Sequence, residues 1–530
     1  MKQSLVELND LPDEILIMIL RNLPTYEAIY TFIGLNKRFN RLVHDSTFTN
    51  RLTLMTYKWE HFIGALPDRM LDQFCIQILP KVHHKIQWLE LESSSMNRVL
   101  LATDYPNLYG LSLYNLNTKQ AKQLFSGRKL LNHNIKNQIS SLVIDTDEDN
   151  THLTKDISKQ ICTYIFTTFI NLKYLNLFPS VSRCPSLSFN ISSPTVFSSN
   201  LLELYINLIN FTDCFHILDG RFNQLRTLHV KVPIIWYSDL VIKNNENLTN
   251  LKCFSLYCSS IYSYNGLIVP LLCRMSNLEK LGLYFCKARE VRFIDGNSLK
   301  KITKHMSQLN KFMFNIRSLI YFNEKMNLLS NEDIQYTFRD FKINDIICCV
   351  DYFFKEFEGQ CLIYSNPYTW KDYNNITNNF PGGLFQNVRR ISLFDEHPFE
   401  HEFFLKIAQS FPFLNQFDLT NHQQQKNKRR RIPKNFLTVK FPHLTQLSLN
   451  KVHDDYVQQF LIDTKTCLPN KVVLRMDYEQ LKKVTYNFRR DTTRTNCSKI
   501  QYFLRDNVRR IPKHFKDYFL YTNVSNSIKK

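Results

Sequence analysis

The sequence predicts an α/β chain: a small N-terminal three-helix module, then a long curved solenoid with parallel strands on its concave side and helices or irregular segments on its convex side. Three observations carry this. Residues 8–48 hold three short amphipathic segments punctuated by Pro12 and Pro24. From Ile86 to Leu449, an apolar residue followed by apolar residues at +3 and +5 recurs twelve times. The 44% hydrophobic and 22% charged composition is that of a globular chain, and only 11 of 530 residues are glycine, which argues against glycine-rich phosphate loops.

The N-terminal module is read first. Leu11 and Pro12 open a helix, since Pro is tolerated at the first helical position. Asp13 and Glu14 follow, where the helix dipole favours negative charge. Ile15, Leu16, Ile19, Leu20 and Leu23 then form one wide apolar stripe. Pro24 ends that helix and Thr25 is placed to cap the next. A third helix carries Phe39, Leu42 and Val43 beside Lys37, Arg38 and Arg41. So short a bundle cannot cover its own apolar faces. Either a partner or the rest of the chain must complete it.

These residues resemble an F-box. Leu8, Leu11, Pro12, Glu14, Ile15, Leu16, Ile19, Leu20, Leu23, Leu35, Arg38, Phe39 and Leu42 stand in the family's order and spacing. The resemblance implies docking on a Skp-type adaptor, and through it a cullin, by way of Leu11, Pro12, Glu14, Ile15, Leu16, Ile19, Leu20, Leu23, Leu35 and Phe39. Many F-boxes have a Trp near the end of the third helix, where this chain offers Phe39 and Phe48. The alternative reading is a plain helical cap on the larger domain.

The repeat starts at Ile86, Leu108, Ile139, Leu172, Leu201, Leu225, Leu251, Leu278, Leu309, Val388, Leu414 and Leu444. Successive starts lie 22, 31, 33, 29, 24, 26, 27, 31, 79, 26 and 30 residues apart. Leucine-rich repeats have a period of about 20–29 residues, and the pattern is similar to theirs with longer, irregular units. The +3 and +5 residues lie two apart on a short strand, so both point into a shared core. Each unit needs a return segment. Leu153, Ile157, Ile161, Tyr164 and Ile165 make one helical face, and Phe403, Phe404, Ile407 and Phe411 another. The 79-residue gap is expected to hold two or three degenerate units, one through Leu362 and Tyr364. Val472, Leu474 and Met476 read as a last strand, followed by a short helix near Tyr478–Val484. The expected boundaries are 1–52 for the F-box, 53–486 for the solenoid, and 487–530 for a basic, polar cap and tail.

If +3 and +5 point inward, then +2, +4 and +6 face solvent. Of these 36 positions four are basic (Lys231, Lys280, Lys311, Arg390) and five acidic (Glu90, Glu92, Asp145, Glu203, Asp418). The formal net charge of +20 is therefore not concentrated there, which argues against a nucleic-acid groove on that face. Eight are aromatic: Trp88, Tyr114, Tyr174, Phe178, Tyr205, Tyr257, Tyr284 and Phe394. Either Tyr114, Phe178, Tyr257, Tyr284 and Phe394 line a substrate-binding strip, since exposed aromatics suit protein recognition, or they pack on neighbouring strands.

Other signals point to no chemistry. The 13 cysteines are scattered, which suits free thiols in a reducing compartment, and Cys348 and Cys349 read as core. His83, His84, His397 and His401 lack partners at metal spacing. Lys426, Lys428, Arg429, Arg430 and Arg431 form a solvated loop, a nuclear-import signal or a polyanion contact. The acidic start (Glu7, Asp10, Asp13, Glu14) is unlike a secretion signal, and the apolar runs are too short to span a bilayer. No metal, cofactor, catalytic residue or membrane partner is expected, and the expected location is the cytoplasm, the nucleus or both.

An F-box followed by leucine-rich repeats resembles the non-catalytic substrate receptors of SCF-type cullin–RING ubiquitin ligases, whose solenoid holds a protein marked for ubiquitin-dependent degradation. The stretches HPFEHEFFLKIAQSFPFL, VHDDYVQQFLIDTKTCLP and NFRRDTTRTNC resemble the C-terminal half of F-box proteins of bdelloid rotifers. A nucleic-acid-binding repeat protein using a basic convex or C-terminal surface is the alternative.

Overall fold

Pro12 and Pro24 set the first two helices. Each precedes its helix, with ψ of 153° and 141°, and α1 (Asp13–Leu20) and α2 (Thr25–Phe32) follow directly. Thr25 does not cap α2. It is the first helical residue, and its Oγ1 accepts from the Thr53 amide at 3.2 Å. α3 (Lys37–Val43) is capped by Asn36, whose Oδ1 accepts from the Phe39 amide at 2.9 Å. Asp45 likewise caps the short α4 (Ser46–Thr49) through the Thr47 amide at 2.8 Å. The computed structural model describes residues 8–57, 63–117, 120, 133–146, 155–177, 198–236, 248–290, 292–341, 345–426, 437–502, 512 and 515–520.

The chain forms two compact units, Met1–Phe285 with Lys301–Lys311, and Cys286–Lys300 with Phe312–Lys530. In the first, the chain passes from α4 into β1 (Arg51–Tyr57), which is paired antiparallel with β2 (Ile63–Ala65) and parallel with β3 (Trp88–Glu92). The sheet continues in sequence order through β4 (Gly110–Leu116), β5 (Ser141–Thr146), β6 (Tyr174–Asn176), β7 (Glu203–Asn207), β8 (Thr227–Ile235) and β9 (Cys253–Ile261) to the first half of β10 (Lys280–Glu290). The register joins equivalent repeat positions: Leu89↔Leu111, Leu111↔Leu142, Leu142↔Leu175, Leu175↔Leu204, Leu204↔Leu228 and Leu228↔Phe254. β1 joins with Leu52↔Leu89 and Leu54↔Leu91, although its own start position is the polar Thr49.

Of the 36 start, +3 and +5 positions, only Leu309 is not buried. Parallel strands covered on one side need this run of apolar contacts at a fixed height. Two polar devices repeat with them. After ten of the twelve starts, the carbonyl one residue on accepts two amides from the next strand. Gln87 O takes Tyr109 and Gly110, Lys173 O takes Leu202 and Glu203, Arg226 O takes Lys252 and Cys253, and Asn415 O takes Thr445 and Gln446. One residue before the start, an asparagine amide reaches back to the preceding unit: Asn107 to His84 O (2.6 Å), Asn171 to Asn137 O (2.9 Å), Asn200 to Ile170 O (2.9 Å), Asn250 to Asn223 O (2.8 Å) and Asn277 to Thr249 O (3.0 Å). The loops joining the strands thus find partners for backbone carbonyls that would otherwise lack them.

The second unit departs from the expected run of repeats. β11 (Lys311–Tyr321), β12 (Asp345–Phe353) and β13 (Glu358–Asn366) pair antiparallel, in the order β12-β13-β11. Leu362 and Tyr364 therefore sit on a hairpin strand, not in a parallel unit. Only β14 (Asp372–Ile376) continues the parallel pattern within the 79-residue gap, pairing Tyr373↔Ile391. From there a six-stranded sheet runs β14, β15 (Arg390–Phe394), β16 (Gln416–Asn421), β18 (Gln446–Val452), β20 (Val472–Met476) and β21 (Ile500–Tyr502), while β17 (Val439–Lys440) and β19 (Thr466–Cys467) pair separately.

The helices Lys155–Thr168, His401–Ser410 and Tyr478–Val484 lie where periodicity placed them. The end is not a polar frayed cap throughout. Helix Asp491–Cys497 leads into β21, parallel to β20, and Phe515, Tyr518 and Phe519 are buried in the same core as Phe488. Of the pair read as core, Cys349 is buried and Cys348 half-buried, and burial pushes the Cys349 thiol up to about 12.

Candidate functional site

α1 is apolar on two sides. Leu16 and Leu20 point inward at 0% and 2% exposure. Leu16 forms a small core with Phe39 and Leu42, against which Leu11, Ile17 and Phe32 pack. Ile15, Met18 and Ile19, one face at i, i+3 and i+4, stand 41%, 62% and 41% exposed. Leu8, Leu23 and Leu35 are exposed as well. A helix apolar on every side belongs in a buried environment, and nothing among the described residues covers the second side.

The ten residues read as adaptor contacts therefore divide. Pro12, Glu14, Ile15, Ile19, Leu23 and Leu35 are exposed and Leu11 is half-buried. Leu16, Leu20 and Phe39 are sealed inside and shape the surface from beneath; they do not form it. A stripe read as one face is two, because 15/19 and 16/20 lie on neighbouring edges of the same helix. Met18 was missed. The signal for it was present, since it falls three residues after Ile15.

Charged groups fix the orientation of α1. Asp13 accepts from Arg38 Nε at 2.7 Å and Arg41 Nη2 at 2.6 Å, and Arg38 also donates to the Leu11 carbonyl. The hydrogen bond from Arg38, with that from Arg41 and the charges of both, holds the Asp13 carboxyl below the usual carboxylate range. The start of α1 is thus clamped to α3. On the other side of the module, Tyr26, Ala28, Ile29 and Phe48 are buried. Asn50 O takes the Gln87 and Trp88 amides, and Lys85 Nζ donates to His44 O at 2.9 Å. One side of the module caps the first strands, and the other is left open.

The outward side of the strands is more used than the alternation rule suggests. Glu90, Glu92 and Asp145 are buried there, not solvated. Glu90 accepts from Arg51 Nε at 2.9 Å and Thr53 Oγ1 at 2.8 Å, and Glu92 from the Ser94 amide at 2.8 Å. Of the aromatic strip, Tyr114 is half-buried, Tyr257 stacks on the buried Tyr284 at 4.3 Å, and Phe394 packs on Phe353 at 5.1 Å. Phe178 lies outside the described residues. Tyr205 stacks on His229 at 4.4 Å, with Cys253 Sγ 3.9 Å from His229 Nε2. Burial lowers the imidazole to about 4 and raises the thiol. Both groups are neutral near pH 7, so the pair is not an activated nucleophile.

The other candidates have structural partners. His83 Nδ1 is 2.7 Å from Asp104 O, His397 Nδ1 is 3.4 Å from Asp395, and His401 Nε2 is 2.9 Å from Leu437 O. Among the described residues no group of His, Cys, Asp or Glu could hold a metal ion, and no helix is long and apolar enough to cross a membrane. The Lys426 amide donates to Glu400 at 2.8 Å. Lys428, Arg429, Arg430 and Arg431 lie outside the described residues.

The family model of the F-box domain matches residues 8–51. These are the residues of α1 to α4 and the first residue of β1, and modules of this kind bind Skp-type adaptors. No curated protein matches the chain.

Proposed function

From an F-box match that coincides with an uncovered apolar helix face, we propose that this chain is the substrate-receptor subunit of an SCF-type cullin–RING ubiquitin ligase. Ile15, Met18 and Ile19, flanked by Leu23 and Leu35, dock a Skp-type adaptor. The strand units form a leucine-rich-repeat solenoid that presents a protein target for ubiquitylation. The receptor does no bond chemistry; it raises the local concentration of a target lysine near the charged enzyme. One observation carries the reading: α1 seals Leu16 and Leu20 while leaving three apolar side chains on its neighbouring edge in water. The test is capture from lysate with the intact chain and with a variant in which Ile15, Met18 and Ile19 are alanine. Adaptor and cullin are expected with the first and not the second. Their absence from both ends the proposal.

A further inference from the structure

Within the first unit, the outward side of β10 and the residue that opens β11 each carry a lysine that no ion pair answers among the described residues. Lys280 and Lys311 hold equivalent positions on successive strands. The Glu279 and Lys280 amides share Lys252 O (2.8 and 3.0 Å), and the Asn310 and Lys311 amides share Glu279 O (3.0 and 3.1 Å). Both side chains are exposed, and neither forms an ion pair among the described residues. Like charges on neighbouring strands oppose sheet formation. On this side of the sheet Glu90 is engaged by Arg51 and Thr53, and Glu92 by Ser93 and Ser94, while Glu203 stands in the same row on β7.

Two residues along from that row lie the half-buried Ser255 and the buried Gly282. They approach so closely that a Cβ on Gly282 would lie 2.9 Å from Ser255 Oγ. His229, paired in register with Ser255, borders it on one side. Beyond it stand the parallel Tyr257 and Tyr284 rings, with Lys231 Nζ 5.3 Å from the Tyr257 centroid.

We propose that this face binds an acidic segment of a protein partner, with carboxylates on Lys280 and Lys311 and an apolar side chain against the half-buried Ser255 and Tyr257. The small number of cations suits a short acidic peptide better than a phosphate backbone, which needs many neutralising contacts. The proposal rests on the receptor reading only in taking that partner to be the ligase target.

The full chain is titrated, without adaptor, into a fluorescein-labelled Glu-rich peptide bearing one central Phe, and polarisation is read. Binding is expected, weakening as salt rises. With Lys280→Glu and Lys311→Glu together, affinity is expected to fall at least about tenfold, since truncated or reversed charge pairs at an interface act on this scale. Tyr257→Ala should weaken binding without changing the salt slope. Thermal unfolding of each variant confirms the fold. Equal affinity of parent and double variant overturns the proposal. So does a single-stranded oligonucleotide that binds through the same lysines more tightly than the peptide. Adaptor capture is a separate readout: its loss with peptide binding intact would end the ligase reading and leave this site standing.

Discussion

Replacing Ile15, Met18 and Ile19 together by alanine separates a docking surface from a structural one. Burying a large aliphatic side chain completely is worth about 1.5–3 kcal/mol. With 41%, 62% and 41% of these residues still in water, covering the remainder is worth about 2–4 kcal/mol in all, or about 30- to 1,000-fold in affinity. The free chain should unfold within about 1 kcal/mol of the parent, since truncations at exposed positions leave no cavity. Leu16→Ala is the contrast. It is fully buried, and its loss should cost about 2–5 kcal/mol of stability. The assay is calorimetric titration with a purified Skp-type adaptor, beside urea unfolding of each variant. Unchanged adaptor affinity in the folded triple variant would refute the reasoning. A triple variant as unstable as Leu16→Ala would show instead that this face is covered by the chain itself.

Three further outcomes are expected. Asn171→Ala and Asn250→Ala each remove one back-reaching hydrogen bond, and each should cost about 0.5–1.5 kcal/mol in urea unfolding, adding in the double variant because the sites are far apart in sequence and share no partner. Asp13 is held below its unfolded value by Arg38 and Arg41, so its contribution is present above the unfolded carboxylate pKa and is lost as pH falls through the lower folded value. Asp13→Asn should therefore flatten the acid limb of the stability–pH curve, and an unaltered limb would contradict the clamp. A chain lacking residues 8–50 should bind a hydrophobic dye and unfold without a sharp transition, because Tyr26, Ile29 and Phe48 are buried where α2 and α4 meet β1; a cooperative transition at the parent's temperature would count against the module as a cap.

The repeated strands were legible because one geometric requirement writes itself at fixed spacing. A parallel strand covered on one side must bury every second residue, and Leu111, Leu142, Leu175 and Leu204 meet in register for that reason. The asparagine before the start position was equally visible, as in Asn107-Leu108, Asn171-Leu172 and Asn250-Leu251, but went unread because polar residues beside a strand are normally taken as loop. The hairpin β12–β13 was not legible. Cys349, Leu362 and Tyr364 show the same alternation whichever direction the strand runs, and period alone carries no sign. The division of α1 also escaped the pattern, since a stripe wide enough to include both 15/19 and 16/20 does not say which edge meets the core.

A terminal strand in a parallel array has one unpaired neighbour and an apolar edge that water penalises. Here β1 is the last parallel strand; β2 pairs with it only at Met55–Tyr57, and the rest of that end is covered by α2 and α4, with Thr25 bonded to the Thr53 amide and Asn50 O to the Gln87 and Trp88 amides. The module must therefore keep one side turned to the strands, which fixes the other side relative to them. α1 cannot rotate to hide Ile15, Met18 and Ile19 without withdrawing Leu16 from Phe39 and Leu42 and breaking the Asp13–Arg38 pair. Exposure of that face is thus a consequence of capping, not a local accident. The exposed face of α1 is thereby held in a fixed position relative to the strands.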